Sequence, residues 1–404
     1  MRYSFDTFYS NFRRSVPVMS LLIVMFAGVP TAQADDSVTT GDDDASARFS
    51  GFLSAIAGKV IDGSYDGKAT AYNYQCPCYV ADWGNGGVYR SNWSFEPETH
   101  AGVQLDLSLN KNISATVQVT TRGPKTAPEF QYAFLNYKID GNWNVHAGRE
   151  RIPLYYYSDF QDLGVAYPWV SPPSEVYGWE VINYNGASVH YKGVIDGISA
   201  NAQIYGGREH VNDAAEVDFV SFSPITFGPV KGNATWKDIV GVETELTHGF
   251  WNIHANFMTA LNSWDDSSGN NLVTQRLKVY GIAANLDFDD WFIVSETGMF
   301  ERNDYLYGYT ERSPSYSVGV GYRYEQWTPL INYAKYLDYY SYQTPQPGGL
   351  QPQFPNGGWG ATLRYDINPK SDLKIQYDKF QDYGNPFIFT GNAKVVRMSY
   401  DVVF

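Results

Sequence analysis

Long apolar runs are what this 404-residue sequence most conspicuously lacks. Outside the N-terminus no stretch approaches the ~18 apolar residues that a transmembrane helix needs, and the mean hydropathy of −0.35 is too polar for a helical membrane protein. Positive charge is also in deficit, with 29 Lys and Arg against 43 Asp and Glu. An acidic surface of this size argues against nucleic acid as a partner. Cysteine is nearly absent, and the two present stand as Cys76-Pro77-Cys78. A local disulfide is the simplest reading of that pair in an oxidising setting, beside pairing between chains or metal binding; two ligands do not make a zinc site. Six histidines without a close pair at facing positions argue against a metal centre, so neither metal nor cofactor is expected. Gly186-Ala187-Ser188-Val189-His190 places a serine near a histidine but completes no nucleophile elbow, so no catalytic residue is expected.

What is abundant is tyrosine (33) and glycine (37). A polar average with many aromatics still permits a membrane β-barrel, because its strands turn only one residue in two toward lipid. At the N-terminus Arg13 and Arg14 precede an apolar run from Val16 to Val29, and Ala32-Gln33-Ala34 supplies small residues at a cleavage position. Residues 1–34 therefore read as a secretory signal peptide. Their removal takes away three arginines and one aspartate, moving the formal charge from −14 to −16. Residues 35–47, polar and acidic, read as a disordered leader, and 48–404 as one β domain.

From Arg48 onward sixteen segments of alternating polarity recur, the first near 48–57 and the last at 393–404. Period-2 alternation means a strand with one apolar and one polar face. Trp359, Ala361, Leu363, Tyr365 and Ile367 oppose Gly360, Thr362, Arg364 and Asp366; Val396, Met398, Tyr400, Val402 and Phe404 oppose Arg397, Ser399 and Asp401. Tyr316, Val318 and Val320 likewise oppose Ser317, Gly319 and Gly321. The segments near 130–139, 275–286, 291–301 and 328–337 show no such division. Tight turns alternate with long connections, and four turns end at Trp143, Trp251, Trp291 and Trp327. Indole rings suit a membrane interface, being apolar with one N–H that needs a wet partner.

One connection stands apart. Arg149 to Glu180 carries Pro153, Pro168, Pro172 and Pro173, so it is neither a central strand nor a long helix. Yet Tyr155, Tyr156, Tyr157, Phe160, Tyr167, Trp169 and Tyr177 are too much apolar surface for a loop in water. It is expected to fold, as a loop spanning 152–180, into an aqueous channel that sixteen strands would enclose.

Signal peptide, strand number, alternating connections, the long loop after Ala147-Gly148-Arg149 and a last strand ending in Phe404 together resemble the Gram-negative outer-membrane porins of the sixteen-stranded, trimeric type. The resemblance implies an all-β transmembrane antiparallel barrel, export to the bacterial outer membrane, contact with its lipid and lipopolysaccharide, a homotrimer, and passive diffusion of small hydrophilic solutes and ions. Proline stiffening and aromatic lining of the loop point to a narrower passage, so a porin selective for sugars or anions stands beside the general one. A lipid-modifying enzyme and an adhesin are the readings from other classes. At the constriction, Asp159, Asp162 and Glu175 on the loop are expected to face a basic wall of Arg122, Arg323, Arg364, Lys374 and Arg397, with Tyr155, Tyr156 and Tyr157 narrowing the opening.

Overall fold

The computed structural model describes residues 45–64, 77–125, 127–179, 181–214, 222–223, 228–229, 232–266, 269–304, 308–342, 355–383 and 391–404. Sixteen strands dominate it: β1 (Ser46–Ser64), β2 (His100–Ser108), β3 (Ile113–Arg122), β4 (Glu129–Lys138), β5 (Trp143–Arg151), β6 (Asn183–Ile195), β7 (Ile198–Val211), β8 (Gly232–His248), β9 (Trp251–Asp266), β10 (Asn271–Phe288), β11 (Trp291–Asp304), β12 (Tyr309–Tyr322), β13 (Trp327–Tyr336), β14 (Asn356–Asn368), β15 (Ser371–Asp382) and β16 (Asn392–Val403). Each pairs antiparallel with its neighbour in sequence, and β16 pairs with β1. A short strand, Tyr339–Tyr342, continues β13 beside the start of β12. The ring is therefore closed, a sixteen-stranded antiparallel barrel with no free sheet edge.

The alternation seen in the sequence sets the faces. On β14, Trp359, Leu363 and Ile367 point out and are exposed, while Thr362, Arg364 and Asp366 are buried inside; β16 and β12 follow the same rule. Ile204 at 64% exposure and Ile331 at 61% belong to an apolar outer band that water would penalise and lipid would not. No helix among the described residues is long and apolar enough to cross a membrane.

Seven turns of two to four residues lie at one end of the barrel. The β6–β7 turn is Asp196-Gly197, with φ of 49° and 81°, the positive values that a two-residue hairpin needs to match strand twist. Outward rings cluster at this end: Trp143 lies 4.9 Å from Tyr191, Trp291 4.7 Å from Tyr322 and Trp327 4.6 Å from Tyr365. These pairs form because β5, β11 and β13 start at tryptophan directly opposite a tyrosine on the next strand.

The structure departs from the sequence reading in three places. Most strands are longer than expected, β1 reaching 19 residues. β1 starts at Ser46, inside the segment read as leader; residues 1–44, with the expected signal peptide, lie outside the described residues. Finally, a small hairpin, Tyr79–Asp82 with Gly87–Tyr89, forms in the connection after β1 and is buried. Cys78, just before it, is buried and disulfide-bonded, and Cys76 lies outside the described residues.

Candidate functional site: the barrel interior

The segment 152–179 leaves β5 and makes contact with strands on every side of the ring. Its four prolines cannot donate, and much of its attachment runs through carbonyls that accept from the wall. Asn256 on β9 donates to the carbonyls of Pro153 (2.8 Å) and Leu154. Across the ring, Arg364 on β14 donates to the carbonyls of Val165 and Tyr167, both at 3.0 Å, and Lys374 on β15 to that of Gly164 at 2.6 Å. Tyr132 on β4 donates to the Asp159 carbonyl, and a His100 ring nitrogen on β2 lies 3.0 Å from that of Asp162. In the other direction, the Tyr156 and Val170 amides donate to Glu296 on β11 and Gln376 on β15. At Gly164 a β-carbon would collide with the Asp401 carboxylate and the Ser54 hydroxyl, so the chain passes too close to the wall for any side chain.

Aromatics fill the space between these attachments. Ile152, Leu154, Tyr155, Val176 and Trp179 pack on Trp236, Met258, Leu277, Val279 and Phe300 of β8–β11, with Trp179 stacked on Phe300 at 3.7 Å. Tyr156, Tyr157, Phe160, Tyr167 and Trp169 form a second cluster with Phe52, Phe292, Val294 and Leu330. The three consecutive tyrosines are thus mostly buried, and the Tyr155 hydroxyl accepts from the Trp179 indole at 2.6 Å. The hairpin after β1 closes the third side, packing Tyr79 and Tyr89 on Val60, Phe380 and Val395. At the turn end a cavity remains, lined by Tyr157, Tyr167, Asn252, Asn285, Arg323 and Arg364 among others.

The expected constriction charges meet in one place. Asp162 pairs with Arg122 on β3 and, at 2.7 Å, with Arg151 at the end of β5. Burial alone would raise its carboxyl, but the two guanidiniums outweigh burial and hold it well below the usual carboxylate range. Asp159 and Glu175 form no ion pair among the described residues. Burial pushes the Glu175 carboxyl up to about 7, and burial beside Glu243 raises that of Asp159.

The remaining basic residues form no ion pair with the loop carboxylates, although Arg397 lines the same recess as Glu175. Arg364 pairs with Asp366 at 2.7 Å and Asp372 at 3.1 Å, Lys374 with Asp401 at 3.0 Å, Arg397 with Glu98 at 2.7 Å and Asp378 at 2.9 Å. Arg323 pairs with Asp287 at the turn end, 4.4 Å over the Phe292 ring. The physical reason is proximity. Arg364, Lys374 and Arg397 each have an acid on their own or an adjacent strand, already on the inner face, and buried bases take the nearest acid; Arg323, in the β12–β13 turn, reaches Asp287 on β10.

Sequence reasoning missed the opposite wall. On β5–β9, inward Glu150, Glu243 and Glu245 stand with His146, His190 and His254 among Asn, Gln and Ser. Glu243 accepts from Gln203 at 3.0 Å and lies 3.3 Å from His254; Glu245 accepts from Asn252 at 2.6 Å and Asn201 at 3.2 Å. No close histidine pair is expected at facing positions, but the rings of His146 and His190, at diagonal positions, lie 4.1 Å apart. The register sets His146 opposite Ser188 and His190 opposite Asn144, so the two rings meet diagonally across β5 and β6, and the signal becomes visible only once that register is known.

No protein-family model matches this sequence, and no curated protein is similar to it. Solved structures share its fold. The Salmonella typhi OmpF complex with daunomycin matches with a TM-score of 0.56 at 13% identity, over 89% of this chain and 97% of that one. The trimer form of in-vitro folded OmpT, an outer membrane protein of Vibrio cholerae, matches at 0.52 and 10%, over 90% and 100%. An anion-selective porin from Comamonas acidovorans matches at 0.53 and 10%, over 89% and 100%. At such identities the likeness concerns the fold alone: a closed sixteen-stranded barrel, spanning essentially the whole described chain.

Proposed function

We propose that this protein is an outer-membrane porin-type channel, passing small hydrophilic solutes and ions by passive diffusion through a narrow interior. The observation that carries the reading is the closed ring with an apolar outer band, polar inner walls and an inserted, wall-anchored segment 152–179. The solved barrels of like fold include porins, and one is described as a trimer, which supports a homotrimer in lipid and lipopolysaccharide. It is not read as an enzyme. Ser188 Oγ lies 2.8 Å from His190 Nε2, but Glu150 approaches that same nitrogen, so it does not orient the ring as a triad carboxylate would.

Cations are the preferred ions. The basic groups of β14–β16 are neutralised by wall acids, whereas Glu243 and Glu245 meet amides and a histidine and no Lys or Arg among the described residues. Rings of unbalanced charge select ions in pores. Purified protein in a planar bilayer tests the reading: stepwise openings with a cation-leaning reversal potential are expected, and a silent membrane would sink it. Light scattering of the unheated protein decides between trimer and single barrel.

A further inference from the structure

One cluster in the interior serves neither the loop anchors nor the ion-paired wall. His146 and Glu150 face inward from β5 and His190 faces inward from β6, and one ligand atom from each lies within 4.8 Å of the others. On a flat strand, residues four apart stand about 13 Å from each other. Here they meet because Gly148 lies between them with a φ of 143°, opposite another glycine, Gly186, and both side chains lean over the gap.

The carboxylate is held in a particular pose. Tyr184 OH (2.9 Å) and Ser188 Oγ (2.8 Å) both donate to Glu150 Oε1, which leaves Oε2 turned toward the imidazoles. That oxygen lies 2.6 Å from His146 Nδ1 and 3.8 Å from His190 Nε2. Phe134 stacks on His146 at 4.6 Å and fixes the ring plane. The His190 side chain remains one-quarter exposed, so the cluster is open on that side.

We propose that His146, Glu150 and His190 form a binding site for one divalent transition-metal ion of the zinc class, with its fourth position open to the barrel interior. Two imidazoles and a carboxylate are a donor set that suits zinc, cobalt, nickel or copper and disfavours calcium and magnesium. Metal–ligand bonds of about 2.0–2.2 Å place tetrahedral ligand atoms roughly 3.3 Å apart. The 2.6 and 3.8 Å separations bracket that value and no pair of ligand atoms is more than 4.8 Å apart, so side-chain rotations alone can close the site. Tyr184 and Ser188 act as the outer partners that orient a ligating carboxylate.

The test uses the full folded chain in detergent, titrated calorimetrically with Zn²⁺ and spectroscopically with Co²⁺, whose visible absorption reports tetrahedral nitrogen and oxygen ligation. One ion per chain is expected. His190→Ala and Glu150→Gln should each weaken binding by more than the ~10–100-fold that loss of an outer partner costs, while His248→Ala, at an exposed turn-end position, should leave it unchanged. Absence of saturable binding in the parent protein overturns the proposal, as does retention of parent-like affinity in folded His190→Ala. Should Glu150→Gln fail to fold, His190→Ala decides, because its side chain is the least buried of the three. Binding is read without any conductance measurement, so the outcome is independent of whether the barrel transports.

Discussion

Two walls of the same barrel hold the same inserted segment by different physics. β14–β16 grip it with charge: Arg364 and Lys374 donate to its carbonyls while Asp366, Asp372 and Asp401 balance them. β8–β11 grip it with apolar area, through Trp236, Met258, Leu277 and Phe300. A buried ionic wall is costly to disturb one member at a time, because the surviving charges have no water to turn to. An apolar wall loses area and leaves a cavity, but strands no charge.

That difference can be broken from either side. Lys374 has a fully buried side chain between Asp372 and Asp401. Replacing it with alanine should cost about 3–5 kcal/mol and lower the urea midpoint of the barrel, with much of the loss recovered when Asp401→Asn is added. Trp179→Ala removes the stack on Phe300 and the bond to Tyr155. It should cost a comparable or slightly smaller ~3–5 kcal/mol, with no rescue by any neutralising partner. Equal rescue patterns in the two backgrounds would erase the distinction between the walls.

The same contrast explains what could be read in the sequence. The ionic wall was legible because β12, β14 and β16 alternate cleanly between lipid-facing apolar and inward polar residues. β10, β11 and β13 were not, since Leu277, Val279, Phe292, Val294, Phe300 and Leu330 point inward against the segment and both faces are apolar. β4 defeated the pattern for another reason: a bulge opposite Gln118 and Val119 turns both Gln131 and Tyr132 inward. The interior bases were placed by alternation, but their partners were misjudged. Asp366 stands two residues from Arg364, and Asp372 two from Lys374, each on the same face. Strand period alone, applied to the acids as it was to the bases, would have paired them. The buried hairpin at Tyr79–Tyr89 left no comparable signal, because strands this short carry too few residues to show a period.

A smaller effect should appear with pH, in the segment itself. The Asp162 carboxyl is held low in the folded protein by Arg122 and Arg151, so the stability it contributes is present above the ordinary carboxylate range and is lost as pH falls through its folded value. Glu175 behaves in the opposite sense. Its carboxyl, raised by burial to about 7, binds a proton in the folded state that the unfolded chain releases near 4.5, so stability declines as pH climbs between those values. Glu175→Gln should flatten that decline, measured as the urea midpoint across pH, while Asp162→Asn should weaken the barrel near neutrality and bring it close to the parent in strong acid. A parent protein whose midpoint does not fall between about 4.5 and 7 would contradict a raised carboxyl at the half-buried Glu175.

The smallest expected effect is on ion selectivity, and it separates the walls most directly. Charges that are already paired contribute little net field across a passage, whereas unbalanced ones act over the distance that salt allows, roughly 8–10 Å at ordinary ionic strength. Glu243 and Glu245 project inward from β8 without Lys or Arg partners among the described residues. Glu243→Gln with Glu245→Gln should therefore move the reversal potential toward anions. Arg364→Ala should move it further toward cations, because Asp366 loses its base and Asp372 retains only Lys374, at 3.5 Å. Asp162→Asn removes a carboxylate already balanced by two guanidiniums and should shift it toward anions by less than the glutamate pair does. Measured in a salt gradient across a planar bilayer, an unchanged reversal potential in the glutamate double variant, with normal yield of folded barrel, would show that ions do not pass along the β5–β9 side.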